Sequence, residues 1–431
     1  MHVYFSGIGG TGISALAVIA KQAGYDVSGS DARNSQYLDY LRQKGVTDTH
    51  VGLAREQIAE VHSKNPIDWY VYGSAQPLDF PDNPEFVFCQ ENGIKMSKRD
   101  EFVSEILNQK KLKMIAVAGT HGKTTTTAMA VWLFKQLGVP VSYSVGAKIS
   151  FGDMGNFDPA SQYFIYEADE FDRNFLSFYP EVSLITGIDW DHPDIYPSRE
   201  EYYAAFRQFL GQGKLSYTWQ DDAKRLGVQA SDSLELIDEH DSEIDSNVHL
   251  SGHVNRQDAW LVASSLAKLL DKPREELIEA LNKFPGLSRR FEQLAPNLYT
   301  DYAHTPAKIR GALQAAHEVA GDNVVVVYEG LHNTRQHFIK DELAALFDGV
   351  KQLYVVPSYL ARENPNLELL TPDKLLNLLS NSTRSKAHAA KLDDELKQSI
   401  QKHLQAGDLV LCFGAGGAGS LDDWLRKEFK R

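Results

Sequence analysis

The sequence predicts an α/β protein of about three domains, and three observations carry that reading. The chain has 431 residues, room for roughly three cores of ordinary size. Short apolar runs suited to buried strands recur along it and alternate with stretches of helical spacing. Several of these runs end in glycine-rich turns from which a helix starts, the connection that parallel strands need.

The first segment, residues 1–108, begins with a strand at His2-Val3-Tyr4-Phe5 and turns at Gly7-Ile8-Gly9-Gly10-Thr11-Gly12. Ile13, Leu16, Ala17 and Ala20 follow at helical spacing, Gly24 closes the helix, and Tyr25 to Asp31 reads as a second strand. This is G-x-G-x-x-G in a βαβ frame, a loop that holds a diphosphate on a helix N-terminus. Asp31 stands near the place of a ribose-binding acid. NAD and a UDP-sugar satisfy the loop equally, and the motif alone does not choose. Trp69 to Tyr72 is another strand meeting a loop, where Ser74 either lines the same crevice or is a plain turn residue.

The second segment, residues 109–288, carries Ile115-Ala116-Val117-Ala118-Gly119-Thr120-His121-Gly122-Lys123-Thr124-Thr125. An apolar strand breaks into a glycine turn, and a Lys-Thr pair opens a helix. Glycines let several backbone N–H groups converge on one anion. Lys123 then reaches the outer phosphates of a nucleoside triphosphate, and the Thr124 hydroxyl takes a place on Mg²⁺. The loop is a variant, because Val117 stands where G-x-x-x-x-G-K-[ST] has its first glycine. The competing reading is a strand–turn–helix with a surface lysine.

Tyr163 to Tyr166 is a strand that ends in Glu167-Ala168-Asp169-Glu170, carboxylates placed to hold Mg²⁺ beside such a loop. Val182 to Thr186 leads to Asp191-His192, where the histidine is either a second metal ligand or structural. The acids between Asp238 and Asp245 read as solvated surface, and a helix is expected over Asp258 to Leu270. The third segment, residues 289–431, has buried-type strands at Val324–Val327, Leu353–Val356 and Leu409–Phe413, hence another α/β unit.

A net charge of −14 argues against a nucleic-acid partner, since no broad basic face is available. Cys89 and Cys412 lack metal spacing and read as buried free thiols in a reducing compartment. No apolar run is long enough to span a membrane, and no basic-then-apolar leader precedes the first strand. The expectation is a cytoplasmic protein without a membrane partner, as a monomer or weak dimer.

Taken in order, these motifs resemble the Mur ligases, ATP-dependent amino-acid ligases of peptidoglycan precursor synthesis. The resemblance spans the whole chain. It rests on residues 7–12, Gly-Ser-Asp at 29–31, Gly-Thr-His-Gly-Lys-Thr-Thr-Thr-Thr at 119–127 and Glu-Ala-Asp-Glu at 167–170. Asp-His at 191–192, Arg-Arg-Phe at 289–291, Asp-Tyr-Ala-His-Thr-Pro at 301–306 and Gly-Ala-Gly at 414–416 extend it. The branch it looks most like adds L-alanine to UDP-N-acetylmuramate.

The resemblance implies a Rossmann-like N-terminal domain, a P-loop ATPase core and a Rossmann-like C-terminal domain. Gly7, Gly9, Gly10, Thr11 and Gly12 would hold the UDP diphosphate, with Asp31 and Ser74 in the same pocket. Gly119, Thr120, Gly122, Lys123, Thr124 and Thr125 would bind ATP, and Lys123 would stabilise the migrating phosphoryl group. Thr124 and Glu167 would hold one Mg²⁺ and His192 a second. Asn255 would contact adenine, Arg290 the γ-phosphate, Asp301 the ATP ribose, and His304 would lie close to the incoming amine. The chain departs from the family pattern at Val254, Asp258 and Gly187 and in the Glu329 to Arg335 loop. Two alternatives therefore accompany L-alanine ligation. One is a recycling ligase that attaches a tripeptide, favoured by Asn333-Thr334, and the other is a nucleotide-binding regulatory homologue.

Overall fold

The computed structural model describes every residue except 75, 192–194, 361–362, 416, 418 and 430–431, with backbone alone for Leu78 and Asp79. Three sheets organise it, and the α/β expectation holds in each.

The first contains β1 (His2–Ser6), β2 (Asp26–Asp31), β3 (Asp48–Val51), β4 (Trp69–Tyr72) and β5 (Lys95–Lys98). All pair in parallel, in the order β3-β2-β1-β4-β5. The order reverses between β1 and β4, and the glycine loop leaves the C-terminal end of β1. A crevice for a ligand forms at such a switch point.

The second sheet comprises β6 (Lys113–Ala118), β7 (Ser142–Ser144), β8 (Gly155–Asn156), β9 (Tyr163–Glu167), β10 (Val182–Ile185), β11 (Leu215–Trp219) and β12 (Leu234–Ile237). Its order is β12-β11-β10-β6-β9-β7-β8, parallel except for the β7–β8 edge pair. Central β6 is apolar on both faces, as a strand covered by helices on each side must be. Val117 is fully buried within it, so the variant position of the loop motif is strand, and Gly119 makes the turn.

These two sheets share a hydrophobic core. Phe102, Val103 and Ile106 of the helix Arg99–Lys110 belong to the same cluster as Val3 and Phe5 of β1 and Phe164 and Tyr166 of β9. Residues 1–248 and 257–284 accordingly form one compact unit.

Residues 249–256 and 285–431 form the other. Its sheet contains β13 (Glu292–Ala295), β14 (Leu298–Asp301), β15 (Val324–Leu331), β16 (Gln352–Tyr359), β17 (Ala387–Ala389) and β18 (Leu409–Phe413). The order is β13-β14-β18-β15-β16-β17, with only the β13–β14 hairpin antiparallel. The all-valine start of β15 is buried completely.

Two local expectations change. The helix expected from Asp258 starts at His253. Gln314 Oε1 accepts the His253 N–H at 2.9 Å and Glu318 Oε2 accepts that of Gly252 at 2.8 Å. Side chains some sixty residues away thus satisfy amides that a helix start leaves open. The acidic run is not all solvated: Glu239 is buried and accepts the N–H groups of Gln220 and Asp221 at 3.0 and 2.8 Å. Cys89 and Cys412 are buried free thiols, as expected. No helix among the described residues is long and apolar enough to cross a membrane.

Candidate active site

The phosphate loop leaves β6 with Gly119 at φ +140° and Gly122 at φ +79°, backbone that a side chain rarely adopts. Space forbids one as well. A Cβ on Gly119 would stand 2.4 Å from Thr186 Oγ1, and one on Gly122 would stand 2.8 Å from Asp258 Oδ1. Thr120 turns inward, with its buried hydroxyl 2.7 Å from the Tyr202 hydroxyl and donating to the Asp189 carbonyl at 2.6 Å. It braces the loop through its side chain. The helix Lys123–Gln136 then begins, with Lys123, Thr124 and Thr125 in its first turn.

Lys123 Nζ donates to Glu170 Oε2 at 2.7 Å and to the Gly119 carbonyl at 2.5 Å. Burial pulls its pKa down, but Glu170 and Asp169 outweigh burial and hold the ammonium above the ordinary lysine range. Thr124 Oγ1 donates to Glu167 Oε1 at 2.9 Å, and the Gly146 N–H reaches Glu167 Oε2 at 2.8 Å. A hydroxyl and a carboxylate this close are oxygen donors of the kind a hard cation takes, at the first turn of a helix that favours phosphate. The residues present fit a magnesium–nucleotide. Among the described residues, one trio of possible metal-binding groups comes together, Asp221, Glu239 and His240. It caps a surface helix, since the Glu239 oxygens accept the Gln220 and Asp221 amides and His240 pairs with Asp221. His192, expected as a metal ligand, lies outside the described residues.

The first glycine loop is drawn in by Asp31, whose Oδ2 accepts the Gly9 N–H at 2.9 Å while Oδ1 accepts that of Arg33 at 3.0 Å. Ser35 donates to the Gly9 carbonyl at 3.0 Å, and a Cβ on Gly9 would collide with both side chains. Gly7, at φ +75°, and Gly10 close the turn with a 3.0 Å backbone hydrogen bond, and Thr11 and Gly12 open the helix Thr11–Gln22. Asp31 therefore shapes the loop from within. Ser74 is buried and donates to Asn174 Oδ1 at 3.0 Å, joining the first sheet's loops to the segment after β9.

In the second unit, Asp301 ends β14 buried, its oxygens accepting the N–H groups of Phe291 at 2.7 Å and Ala303 at 2.6 Å. This holds the segment around Arg290, whose neighbours Arg289 and Phe291 have φ of +58° and +45°. The Arg290 guanidinium lies 5.4 Å from the centre of the Tyr302 ring, which also packs 4.9 Å from the His304 ring. His304 Nδ1 is 2.8 Å from the Tyr302 carbonyl. Burial first, then the charges of Lys308 and Arg335, push its imidazole down to about 2, so it is neutral at physiological pH. Asn255 donates to the Ser251 carbonyl at 2.7 Å in the first turn of its helix.

Family models match nearly the whole chain: "Mur ligase family, catalytic domain" over residues 2–111, "Mur ligase middle domain" over 117–235 and "Mur ligase, glutamate ligase domain" over 289–416. The UDP-N-acetylmuramate–L-alanine ligase of Paenarthrobacter aurescens is 31% identical over 448 residues, 96% of this chain and 94% of its own length. The chain belongs to the Mur ligase family. The enzyme of the same name from Clostridium beijerinckii is 29% identical over 96% of this chain and 95% of its own. Among solved structures, the UDP-N-acetylmuramate–alanine ligase of Thermotoga maritima superposes with a TM-score of 0.74 at 25% identity, covering 99% of this chain and 98% of that one. A murein peptide ligase from Psychrobacter arcticus shares the fold, with a TM-score of 0.61 at 22% identity.

Four further residues of this Mur ligase take roles beside the glycine loops that the sequence did not assign. Arg99 lies against Gly12 and Asp258 against Gly122, while Glu170 pairs with Lys123 and Asp169 with Arg99. Glu170 and Asp169 stood inside a recognised motif, and only their burial and partners reveal what they do. Asp258 is buried beside Gly122, and burial pushes its carboxyl up to about 8 against a weaker opposing effect of Thr126. Arg99 carried no sequence signal.

Proposed function

We propose that this Mur ligase joins L-alanine to the carboxylate of UDP-N-acetylmuramate, converting ATP to ADP and phosphate, in the cytoplasm and without a membrane or nucleic-acid partner. The observation that carries the chemistry is the Lys123, Thr124 and Glu167 constellation on a glycine cradle. The acceptor follows from full-length likeness to ligases named for L-alanine.

In this reading residues 1–108 take the sugar nucleotide, 109–288 take ATP and 289–431 receive the amino acid. Gly7, Gly9, Gly10, Thr11 and Gly12 hold the UDP diphosphate on a loop that Asp31 shapes, with Ser74 beside it. Gly119, Gly122 and the amides before Thr125 cradle the ATP phosphates, while Asn255 and Asp301 serve the adenosine end. Thr124 and Glu167 hold Mg²⁺, which neutralises charge on the phosphates when bound. A substrate carboxylate oxygen attacks the γ-phosphorus, the bridging P–O bond breaks, and an acyl phosphate and ADP form. Lys123 and Arg290 offset the charge that develops on the transferred group. The alanine amine then attacks the acyl carbon, phosphate departs with the electron pair of the C–O bond, and the amine loses a proton. Neutral His304, with Nδ1–H donating to Tyr302, keeps an Nε2 lone pair that can orient the amine by accepting an N–H hydrogen bond, while the proton passes to the departing phosphate.

The tripeptide reading rested on Asn333-Thr334. Those residues open a helix that Glu363 caps, accepting both backbone N–H groups at 3.0 and 2.8 Å and the Thr334 hydroxyl at 3.1 Å. Asn333 also donates from its side chain to the Glu368 carbonyl at 3.0 Å. Their sequence therefore has a structural cause. The deciding assay supplies UDP-N-acetylmuramate, Mg·ATP and single acceptors, and follows ADP release and product mass. Turnover with L-alanine is expected. Turnover with the tripeptide alone, or with no acceptor, would reject the proposal.

A further inference from the structure

Arg99 is the first residue of the helix that follows β5, and its guanidinium lies against the first glycine loop. A Cβ on Gly12 would stand 2.6 Å from Arg99 Nη1. On its other side, Arg99 Nη2 donates to Asp169 Oδ2 at 3.1 Å, two residues beyond Glu167. Asp169 and Asp100 flank Nη2 and Nε, and Nη1 is left over. Nη1 makes no hydrogen bond among the described residues, and Nε is buried without one, its neighbour Asp100 Oδ1 being 3.6 Å away. The side chain is 20% exposed.

Asp100 and Asp169 keep the guanidinium charged against burial, and its Nη1 arm is left for a further anion. Gly12 lies in the first turn of a twelve-residue helix whose N-terminus carries partial positive charge and has no acid in that turn. A guanidinium is a planar fork made for two parallel bonds to an oxyanion. Here one arm is spent on Asp169, and Nη1 lies against Gly12 of the glycine loop. Asp169 thereby fixes the fork, and it ties the fork to the segment that carries the proposed metal ligand.

We propose that Arg99 binds an oxyanion of the sugar nucleotide at Gly12, with Asp169 as its positioning residue. The inference rests on the ligase reading above, and it adds a substrate-binding residue to that site. Because Arg99 touches both the first glycine loop and the β9 carboxylate segment, it anchors the sugar nucleotide on the side facing the phosphate loop.

The test is calorimetric binding of UDP, UDP-N-acetylmuramate and an ATP analogue to the full chain and to R99Q, R99K and D169N, with melting temperatures. R99Q should weaken UDP-N-acetylmuramate by about tenfold or more, the size of a lost charge-assisted hydrogen bond. Its affinity for the ATP analogue should stay near that of the wild type. Equal weakening of UDP assigns the diphosphate as the oxyanion, and weakening of UDP-N-acetylmuramate alone assigns the carboxylate. D169N should weaken binding less than R99Q, since the cation remains. Parallel losses of sugar nucleotide, ATP analogue and stability in R99Q and D169N would make Arg99 a mere strut between sheets and overturn the proposal. So would wild-type affinity for UDP-N-acetylmuramate in R99Q or, if R99Q does not fold, in R99K. A wild-type chain that binds no UDP-N-acetylmuramate would overturn the ligase reading too, so the two failures are distinguishable.

Discussion

Lys123 Nζ sits 2.7 Å from Glu170 Oε2, an ion pair with side chains only 15% and 2% exposed. The lysine proposed to meet the transferred phosphoryl group is thus held in place by a buried carboxylate. Its ammonium is kept charged against burial, and its reach is set before any nucleotide arrives.

Lys123→Ala should abolish ADP release and also lower stability, because it removes the ammonium paired with the buried Glu170 carboxylate. Breaking a buried pair from one side costs about 3–5 kcal/mol. Lys123→Ala with Glu170→Gln should regain much of that stability and remain inactive. Thermal melts and single-turnover ADP release check both. A Lys123→Ala protein as stable as wild type would show that the pair contributes little.

Glu167→Gln should raise the Mg²⁺ concentration needed for half-maximal turnover by about tenfold, since metal sites lose that much with a weakened oxygen ligand. Thr124→Val should act in the same direction. An unchanged Mg²⁺ titration in both would remove the Thr124–Glu167 pair from the metal site.

Asp258 makes stability depend on pH. Its folded carboxyl titrates near 8, well above the ordinary aspartate value, so the folded state holds a proton that the unfolded chain has released. That contribution is fully present below about pH 4, the unfolded value, and is lost as pH rises through about 8. Asp258→Asn should raise the melting temperature above pH 8 and leave it unchanged near pH 4. A protonated aspartate and an asparagine have nearly the same shape, so the substitution removes the titration and little else.

His304 should be neutral across the assay range, its imidazole being held near 2. His304→Ala should lower kcat without changing the shape of the pH–rate profile between pH 5.5 and 8. Loss of an inflection in that range would show that His304 titrates there. Its depressed value also means that the fold loses stability as pH falls below about 6.5, where an unfolded histidine takes up its proton.

Much of the site was legible in sequence because its signals are local. Gly119, Gly122, Lys123 and Thr124 lie within six residues, and a strand–turn–helix needs only neighbours in the chain to form. Glu167 was legible because a carboxylate at a strand end beside such a loop has one obvious use. Asp301 was expected to serve the ATP ribose, and its two hydrogen bonds to the Phe291 and Ala303 amides were not readable. The helix start at His253 was missed for a related reason, since Gln314 and Glu318 cap it from far along the chain.

By itself, the sequence determined the α/β class, the two glycine loops and the family, all of which depend on short-range order along the chain. Tertiary structure alone decided that Lys123 meets Glu170, that Arg99 lies on Gly12 and that Asp258 packs under Gly122. Each of those pairings joins residues from different elements, brought together by parallel strands whose crossovers separate neighbours in space by tens of residues in sequence. Burial at such meetings sets charge and protonation, and burial is a property of the folded chain.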